Sequence, residues 1–361
     1  MTALFWISAA LLAYAQAGYA LLVAALARLA PRESSAPVGA PTRAALIIAA
    51  HNEEAVIGDR VANALALDWP REMLTVVVAC DGCTDATAER ARAAGADVVL
   101  ELERGGKVRA QDAGVAATDA ELLAFGDANA RWAPDALRVL ARAFADPDVG
   151  YACGRVGFTN EAGTNQEGLY WRYELFIRDS ESRFASVTAG NGAIYAVRRA
   201  AYLNVDPVMG HDLSLPFNLV KRGWRAVYVP EARATEKMVP TVEGEFARKR
   251  RMMGHTWPIV VRGGLLDPRG YPPRYALLIA SHRMLRYLTP FLHVSLLASS
   301  GRRRWALAGQ LAFLAAAASG RTRAGLVARY YTLTTASIAL GLYDWLRHGT
   351  EASWQPVEEA R

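Results

Sequence analysis

Cysteine is scarce in this chain. Among its 361 residues there are only three, Cys80, Cys83 and Cys153. So small and odd a number forms no disulfide framework, and it favours a reducing compartment. Cys80 and Cys83 make a C-x-x-C pair, but no second pair or suitably spaced histidine completes a zinc site. We interpret the pair as a strand residue and a loop thiol.

Glycine-rich phosphate-binding signatures are also missing. The pattern G-x-x-x-x-G-K-[ST] does not occur, which argues against a P-loop nucleoside triphosphatase. No G-x-G-x-x-G follows the first predicted strand, where "HNEEA" places acidic side chains instead, and this argues against a dehydrogenase. A nucleotidyltransferase needs a basic glycine-rich loop at the same place, and "AAHNEEAV" offers none.

Charge is absent from the beginning of the chain. The segment Leu4–Ala27 contains no charged residue and is long enough to cross a bilayer as a helix. Arginines follow it at positions 28, 32 and 43, so the positive-inside rule places the middle of the chain in the cytoplasm. We predict an uncleaved transmembrane anchor at 1–30 and a linker rich in proline and serine at 31–43.

The end of the chain becomes apolar again. We predict an interfacial amphipathic helix at 271–288, transmembrane helices within 289–346 and a tail at 347–361. The expected location is therefore the cell inner membrane, multi-pass, with membrane lipids as partners.

The net charge of +6 also suits nucleic acid or phosphorylated ligands. No basic surface interleaved with aromatic residues accompanies it, so we predict no nucleic-acid binding.

Between the two apolar ends, predicted strands and helices alternate. The pattern runs from "AALIIAA" at Ala44–Ala50 to "ELLAFGD" at Glu121–Asp127 and predicts an α/β fold with a doubly wound, mostly parallel sheet, within a domain at 44–270. Ligands of such sheets bind outside the carboxyl ends of the strands. The segments "HNEE", "DGCTD" and "DAN" each follow a predicted strand, so we expect a site there.

Four polar residues of this half are candidates for binding. Asp81 can accept hydrogen bonds from a base or a ribose, or it can belong to a turn. Lys107, at a predicted helix start after two glycines, can reach a phosphate or remain solvated. Asp127 and Asn129 are two oxygen donors spaced i and i+2, which suits a divalent cation and also suits a plain turn.

The second half offers a base and two cations. Asp212 in "GHDLSLP" can be a general base or the N-cap of a helix, and His211 can tune it or be an ordinary histidine. Arg248 and Arg251 are three residues apart on one helical face. They can clamp phosphate oxygens or face anionic lipid.

In their order along the chain, these segments resemble the family 2 glycosyltransferases, inverting enzymes with the GT-A fold. The resemblance covers Ala44 to Trp257 and rests on seven segments: "AAHNEE", "VVVACDGCTDAT", "GGKVRAQDAG", "FGDANARWAPDAL", "GNGAIYAVRR", "GHDLSLP" and "EFARKRRMMGHTW". Membrane-anchored members that assemble bacterial exopolysaccharides or glycolipids look most similar.

The resemblance implies a role for each candidate residue. Asp212 becomes the catalytic base, and Asp127 with Asn129 becomes the site of Mg²⁺ or Mn²⁺. Arg248 and Arg251 contact the leaving diphosphate. The implied donor site comprises His51, Asn52, Glu53, Asp81, Lys107 and Asp127, and the implied acceptor side comprises Gly190, Asn191, Gly192 and His211.

The implied substrates are a nucleotide-sugar donor, with UDP favoured, and a lipid-linked or saccharide acceptor. The sequence departs from the family pattern at three places: Asn129 replaces a carboxylate, His211 replaces an acidic residue, and the Gln-x-x-Arg-Trp signature of processive synthases is absent. The last departure favours transfer of one sugar per encounter. The alternative to a transferase is a non-catalytic membrane scaffold or export-partner subunit that keeps the fold.

Overall fold

A computed structural model of the chain describes residues 1–32, 42–159, 166–237 and 241–352. The strands are β1 (Ala44–Ala50), β2 (Leu74–Asp81), β3 (Val98–Leu102), β4 (Leu122–Asp127), β5 (Arg131–Trp132), β6 (Val149–Thr159), β7 (Tyr195–Arg198) and β8 (Arg225–Lys237). The helices are α1 (Thr2–Ala13), α2 (Tyr19–Leu29), α3 (Ile57–Leu65), α4 (Thr87–Ala93), α5 (Lys107–Ala116), α6 (Ala136–Ala143), α7 (Gln166–Phe184), α8 (His211–Lys221), α9 (Val242–Val261), α10 (Pro273–Leu278), α11 (Leu285–Ser299), α12 (Arg304–Ser319) and α13 (Arg323–His348).

The first four strands form the parallel half of the sheet that the alternating pattern predicts. Every residue of β1 is buried, because β1 lies between β2 and β4 and both faces are covered. In the register, Ala50 pairs with Cys80 and Ala49 pairs with Asp127. The carboxyl ends of β1, β2 and β4 therefore meet at one edge of the sheet, as predicted.

The second half of the sheet is mixed. The eight strands lie in the order β3-β2-β1-β4-β7-β6-β8-β5, and β7 runs antiparallel between β4 and β6. Within the segment "GNGAIYAVRR", β7 begins only at Tyr195. The glycines at 190 and 192 lie outside it, so they belong to a loop that approaches the edge of the sheet.

The N-terminal apolar segment is one long helical element from Thr2 to Leu29, with a π-helical turn at Tyr14–Gly18. In the part of the chain that the structure describes, it is the one helix long and apolar enough to cross a membrane. Its second half packs against α7, where Tyr19 and Val23 are fully buried in the main core. Apolar side chains are nevertheless exposed in both halves, among them Trp6 in the first and Leu21 in the second.

The C-terminal helices pack against other elements of the chain. α13 crosses α9, where Arg250 donates two hydrogen bonds to Asp344 (2.6 and 2.7 Å) and Trp257 Nε1 donates to the carbonyl of Ile338 (2.9 Å). Neither α11, α12 nor α13 meets the length and composition expected of a span. The multi-pass topology thus stays a prediction. The predicted interfacial helix comprises α10, a π-helical turn at Ile279–Met284 and the start of α11.

Candidate active site

Lys107 and Asp127 form an ion pair at the edge of the sheet. Lys107 is the first residue of α5, Asp127 is the last residue of β4, and the ammonium donates a hydrogen bond to the carboxylate Oδ1. Burial lowers the pKa of Lys107, but the Asp127 carboxylate outweighs it and leaves that pKa raised. A Cβ on Gly192 would lie 3.2 Å from Lys107 Nζ and 3.4 Å from Asp127 Oδ2. The predicted acceptor loop therefore lies directly against the pair.

The Asp81 carboxylate organises the neighbouring loop. It is buried and accepts hydrogen bonds from the backbone N–H of Gly105 (2.6 Å) and Gly106 (3.0 Å), with Arg104 3.9 Å away. These amides precede α5, so Asp81 sets the position from which Lys107 points. The contact of Asp81 with a base or ribose stays a prediction.

The segment "HNEE" is tied to the loop that follows β2. His51 Nδ1 lies 2.7 Å from the carbonyl oxygen of Asp81, and Asn52 Oδ1 accepts a hydrogen bond from the backbone of Thr84 (2.8 Å). Asn52 has a φ of 52°, in the left-handed region that asparagine tolerates better than most residues. The backbone N–H of Glu53 donates to Thr87 Oγ1 (2.8 Å). These bonds fix the wall of the expected donor site.

Arg60 supports Asp127 from behind and was not predicted. Its side chain is buried, and its Nε donates to the carbonyl oxygen of Asp127 (3.1 Å). Burial lowers the pKa of Arg60 to about 10. No signal in the sequence identifies it, because a helical arginine is usually a surface residue.

The residues around Asp127 fit a divalent cation. Asn129 is partly buried in the turn after β4, and the N–H of Ala130 closes that turn on the carbonyl oxygen of Asp127 (3.2 Å). Within the described ranges, no three His, Cys, Asp or Glu side chains gather around one point. Mg²⁺ is commonly held by one or two carboxylates together with substrate phosphates, so a complete protein cage is not required. Asp127 and Asn129 would supply the protein oxygens.

Glu236 is a further acidic residue of the site that the sequence analysis missed. Burial and then the negative charge of Asp127 raise the pKa of Glu236 to about 7, against the opposing effect of Lys107 and Arg248. The glutamate thus lies within electrostatic reach of the predicted donor site. Glu236 lies near the end of β8, which continues to Lys237, and no motif in the sequence marks it.

Asp212 lies in the first turn of α8 and faces the same cleft. Its side chain is partly buried, and its negative charge raises the pKa of Lys107. Its backbone carbonyl accepts a hydrogen bond from the N–H of Gly190 (2.7 Å). The predicted base and the predicted acceptor loop are therefore joined. The helix-cap alternative is wrong, because Gly210 is the N-cap of α8 and no side chain caps the helix, whereas the role of Asp212 as a base stays a prediction.

His211 lies on the other side of α8, away from the cleft. It is buried, its Nδ1 is 2.9 Å from the hydroxyl of Tyr195, and its ring meets Phe125 edge-on at 5.8 Å. Burial lowers the pKa of His211 to about 3, so the ring is neutral. The structure places the predicted acceptor-side histidine in the core instead, because its ring packs against Phe125, Tyr195 and Tyr202.

The acceptor loop is closely packed behind its exposed edge. Asn191 is buried, donates from Nδ2 to the carbonyl of Gly154 (2.7 Å) and accepts from the backbone of Ile194 (2.9 Å). A Cβ on Gly190 would lie 1.9 Å from the hydroxyl of Tyr151, so only glycine fits there. Asn191 thus shapes the loop, and Gly192 is the member that contacts the ion pair.

The basic helix α9 borders the cleft. Arg248 makes a two-pronged ion pair with Glu245 (2.7 and 2.7 Å) and acts electrostatically on Glu236. Burial lowers the pKa of Arg251, and the neighbouring Arg248 lowers it further. This placement agrees better with the predicted phosphate contact than with a face of the helix turned only to lipid.

The C-terminal segment approaches the donor side of the cleft. Thr350 Oγ1 donates to the carbonyl of Gly254 in α9 (2.8 Å). The carbonyl oxygen of Ala352 lies 2.0 Å from the place of a Cβ on Gly106, which has a φ of 94°. The predicted tail is thus packed at the site as far as Ala352, and residues 353–361 lie outside the described part of the chain.

A family model described as glycosyltransferase like family 2 matches residues 41–254, more than half of the chain. The chain is a family 2 glycosyltransferase. This confirms the resemblance recognised in the sequence and establishes a transferase. The match ends in α9, so it includes each residue assigned above to the donor site, the base and the leaving group.

Curated relatives are glycosyltransferases too. An N-acetylglucosaminyltransferase of a Rhizobium species is 28% identical over 170 residues, which are 43% of this chain and 38% of the relative. A beta-monoglucosyldiacylglycerol synthase of a Synechocystis species is 27% identical over 300 residues, which are 75% of this chain and 60% of the relative. The transferase therefore matches less than two thirds of each relative's length.

A solved structure confirms the fold of the transferase. It is a mannosyltransferase from Pyrobaculum calidifontis, determined in complex with GDP-Man and Mn²⁺. The two chains share 23% identity and superpose with a TM-score of 0.76, over 95% of this chain and 99% of the other. The predicted GT-A-like α/β fold is thus correct.

Proposed function

We propose that this transferase moves one sugar, with inversion, from a nucleoside diphosphate donor to a lipid-linked or saccharide acceptor in the assembly of cell-envelope polysaccharide or glycolipid. The observation that carries the proposal is the convergence of Asp212, the Lys107–Asp127 pair and Gly192 at one edge of the sheet. UDP is the proposed nucleotide. The catalytic domain lies at the cytoplasmic face of the inner membrane.

The proposed reaction is a single displacement. Asp212 takes the proton of the acceptor hydroxyl while the oxygen forms a bond to the anomeric carbon on the face opposite the leaving group. The bond from that carbon to the diphosphate oxygen breaks, and the nucleoside diphosphate leaves with the electron pair. Inversion follows because one displacement reverses the configuration at the carbon.

The leaving diphosphate needs positive charge. Lys107 lies beside Asp127, and Arg248 with Arg251 borders the cleft from α9. Fixed cations that face a developing charge stabilise it without a further cost of reorganisation. A Mg²⁺ or Mn²⁺ ion, held by Asp127 and Asn129, would act as a Lewis acid on the diphosphate oxygens. Asp81 fixes the loop from which Lys107 reaches them.

Several features support membrane attachment. The first half of the N-terminal helix exposes Leu4, Trp6 and Ile7, and α11 beside it exposes Phe291 and Val294. A cluster of arginines at 302–304 lies next to these apolar surfaces, where anionic headgroups attract basic residues. We propose that these surfaces enter the bilayer and bring the cleft to a lipid-linked acceptor. The predicted additional crossings at 289–346 belong to the same proposal.

The test uses the full chain purified in detergent. UDP and GDP are titrated calorimetrically with Mn²⁺ or Mg²⁺ and again with EDTA, and hydrolysis of the matching nucleotide sugars is followed. We expect metal-dependent binding of one nucleotide, lost in Asp127→Ala, and hydrolysis that falls sharply in Asp212→Asn without loss of nucleotide binding.

Two other outcomes would contradict the proposal in different ways. Binding that survives EDTA would remove the metal from the mechanism and leave charge stabilisation to α9 and Lys107. Absence of binding by either nucleotide would favour the scaffold alternative.

A further inference from the structure

A buried carboxylate outside the proposed mechanism connects the N-terminal helix to the active site. Glu181 lies in α7, and its side chain is almost fully buried. Oε1 accepts hydrogen bonds from the hydroxyl of Tyr19 (2.6 Å) and contacts Nδ1 of His282 (2.7 Å). Oε2 accepts from the backbone N–H of Thr188 (3.0 Å) and from its hydroxyl (2.9 Å). Three separate parts of the chain thus converge on one side chain.

Glu181 is ionised in the folded protein. Burial alone raises the pKa of Glu181, but His282 and then Arg283 outweigh burial and lower that pKa to about 2. A buried charge is tolerated only when its partners satisfy it, so the loss of one partner is costly for the arrangement of the others. The network is completed by Arg283, whose Nε donates to Thr188 Oγ1 (2.8 Å).

Thr188 begins the loop that reaches the active site. Two residues later, Gly190 donates its N–H to the backbone carbonyl of Asp212 (2.7 Å) and accepts from the guanidinium of Arg178 (3.1 Å). Two residues further, Gly192 lies against Lys107 and Asp127. The loop is therefore held at Thr188 by Glu181, and its other end touches the reacting groups.

We propose that Glu181 is a positioning residue that holds the loop 188–192 in register with Asp212, and that Tyr19 makes the N-terminal helix a part of this support. The inference rests on the proposed function. The N-terminal helix then has a second role besides membrane attachment: it orders the acceptor side of the active site. The loop meets Lys107 and Asp127 of the donor side at Gly192, four residues from Thr188, whereas Asp81 bonds to the backbone of Gly105 and Gly106.

The experiment compares two hydroxyl deletions at the same helix interface. Tyr19→Phe removes the bond to Glu181, whereas the matched control Tyr173→Phe removes another bond between α7 and the N-terminal helix, from Tyr173 to the carbonyl of Gln16 (2.9 Å). Both variants are made in the full chain. Transfer kcat, the KM of each substrate, the Kd of the nucleotide and the thermal midpoint are measured in the same detergent.

We expect Tyr19→Phe to lower transfer kcat by about tenfold, because small displacements of a positioned group are costly in catalysis. Nucleotide Kd should stay within twofold of wild type, roughly the experimental error. Tyr173→Phe should keep wild-type kcat. Thr188→Val should reproduce the loss and Thr188→Ser should restore kcat, since serine retains the hydroxyl that Glu181 binds.

The outcomes separate the two proposals. Equal kcat in Tyr19→Phe and Tyr173→Phe, or a loss of kcat that follows nucleotide affinity or the thermal midpoint, would overturn the positioning role while leaving the transferase intact. A wild-type protein that neither binds a nucleotide nor transfers a sugar would overturn the proposed function, and the inference with it. A Glu181→Gln variant removes the buried charge itself and should also lower kcat. If that variant does not fold, the Tyr19 and Thr188 variants still test the positioning role.

Discussion

Lys107 Nζ donates a hydrogen bond to the carboxylate of Asp127, and this contact joins the first turn of α5 to the end of β4. The two residues are 20 positions apart in the chain. The ammonium and the carboxylate neutralise each other at the place where an anionic donor diphosphate and a divalent cation would bind. A cation that binds Asp127 must therefore compete with, or rearrange, the lysine ammonium.

Replacing Lys107 with methionine removes a positive charge from the leaving-group side of the cleft. We expect Lys107→Met to lower transfer kcat by about two to three orders of magnitude, as loss of one preorganised charge-stabilising group does in other enzymes. Steady-state kinetics with a saturating acceptor measures the effect. The control is Arg138→Met, which breaks the exposed pair with Asp68 (2.6 Å) and should leave kcat unchanged. Equal losses in both variants would contradict the assigned role.

His211 predicts a pH dependence of stability. Burial lowers its pKa from 6.5 to about 3, so the unfolded chain binds a proton that the folded protein refuses. The free energy of unfolding should fall on acidification below about pH 6.5, by up to about 1.4 kcal/mol per pH unit from this group. His211→Asn should show a weaker fall when thermal midpoints are compared between about pH 7.5 and pH 5. Parallel curves for the two proteins would contradict a buried neutral histidine.

Gly106 allows a test of the packed C-terminal segment. Gly106→Ala introduces strain at a φ of 94° and also a clash with the carbonyl of Ala352, whereas Gly223→Ala has a similar φ of 90° and open space around its Cβ. Each should destabilise the fold by about 1–2 kcal/mol through backbone strain. Only Gly106→Ala should also weaken nucleotide binding, because Gly106 supports the donor loop. Equal nucleotide affinities in both variants would show that the packing of Ala352 against Gly106 does not affect nucleotide binding.

The two halves of the N-terminal helix should respond differently to charge. Ile7 is exposed in α1, and Val23 is fully buried against α7. Ile7→Asp should reduce flotation with anionic vesicles while the thermal midpoint stays near wild type, because an exposed apolar residue contributes to membrane binding. Val23→Asp should lower the thermal midpoint strongly, because burying an unpaired charge lowers the free energy of unfolding by roughly several kcal/mol. If both variants still float with the vesicles, the membrane contact lies elsewhere on the protein.

Much of the fold could be predicted from local pattern. The buried run at Ala44–Ala50 and its successors are continuous apolar strands separated by amphipathic helices, and this periodicity is a local property of the chain. Parallel strands share one edge at their carboxyl ends, so the sequence could place Asp81 and Asp127 near each other. The order of the seven segments along the chain identifies the family without any tertiary contact.

Other features depend on contacts between distant residues and have no local signature. β7 pairs antiparallel with β4, and the loop before it is held by Glu181, whose partner His282 is 101 positions away. Arg60 and Glu236 join the site only through the packing of α3 and the full length of β8. The apolar N-terminal helix matches a membrane span by composition, but composition does not show that Tyr19 and Val23 pack against α7 while Leu21 stays exposed.

The sequence by itself determined the parallel half of the sheet, the family and the chemical types of the site residues, because hydrophobic periodicity and the order of motifs are carried by neighbouring positions. Tertiary structure decided which polar side chains face the cleft and which support it. His211 and Asp212 are adjacent in the chain, yet one lies in an aromatic core and the other faces Lys107, because successive positions on a helix point about 100° apart.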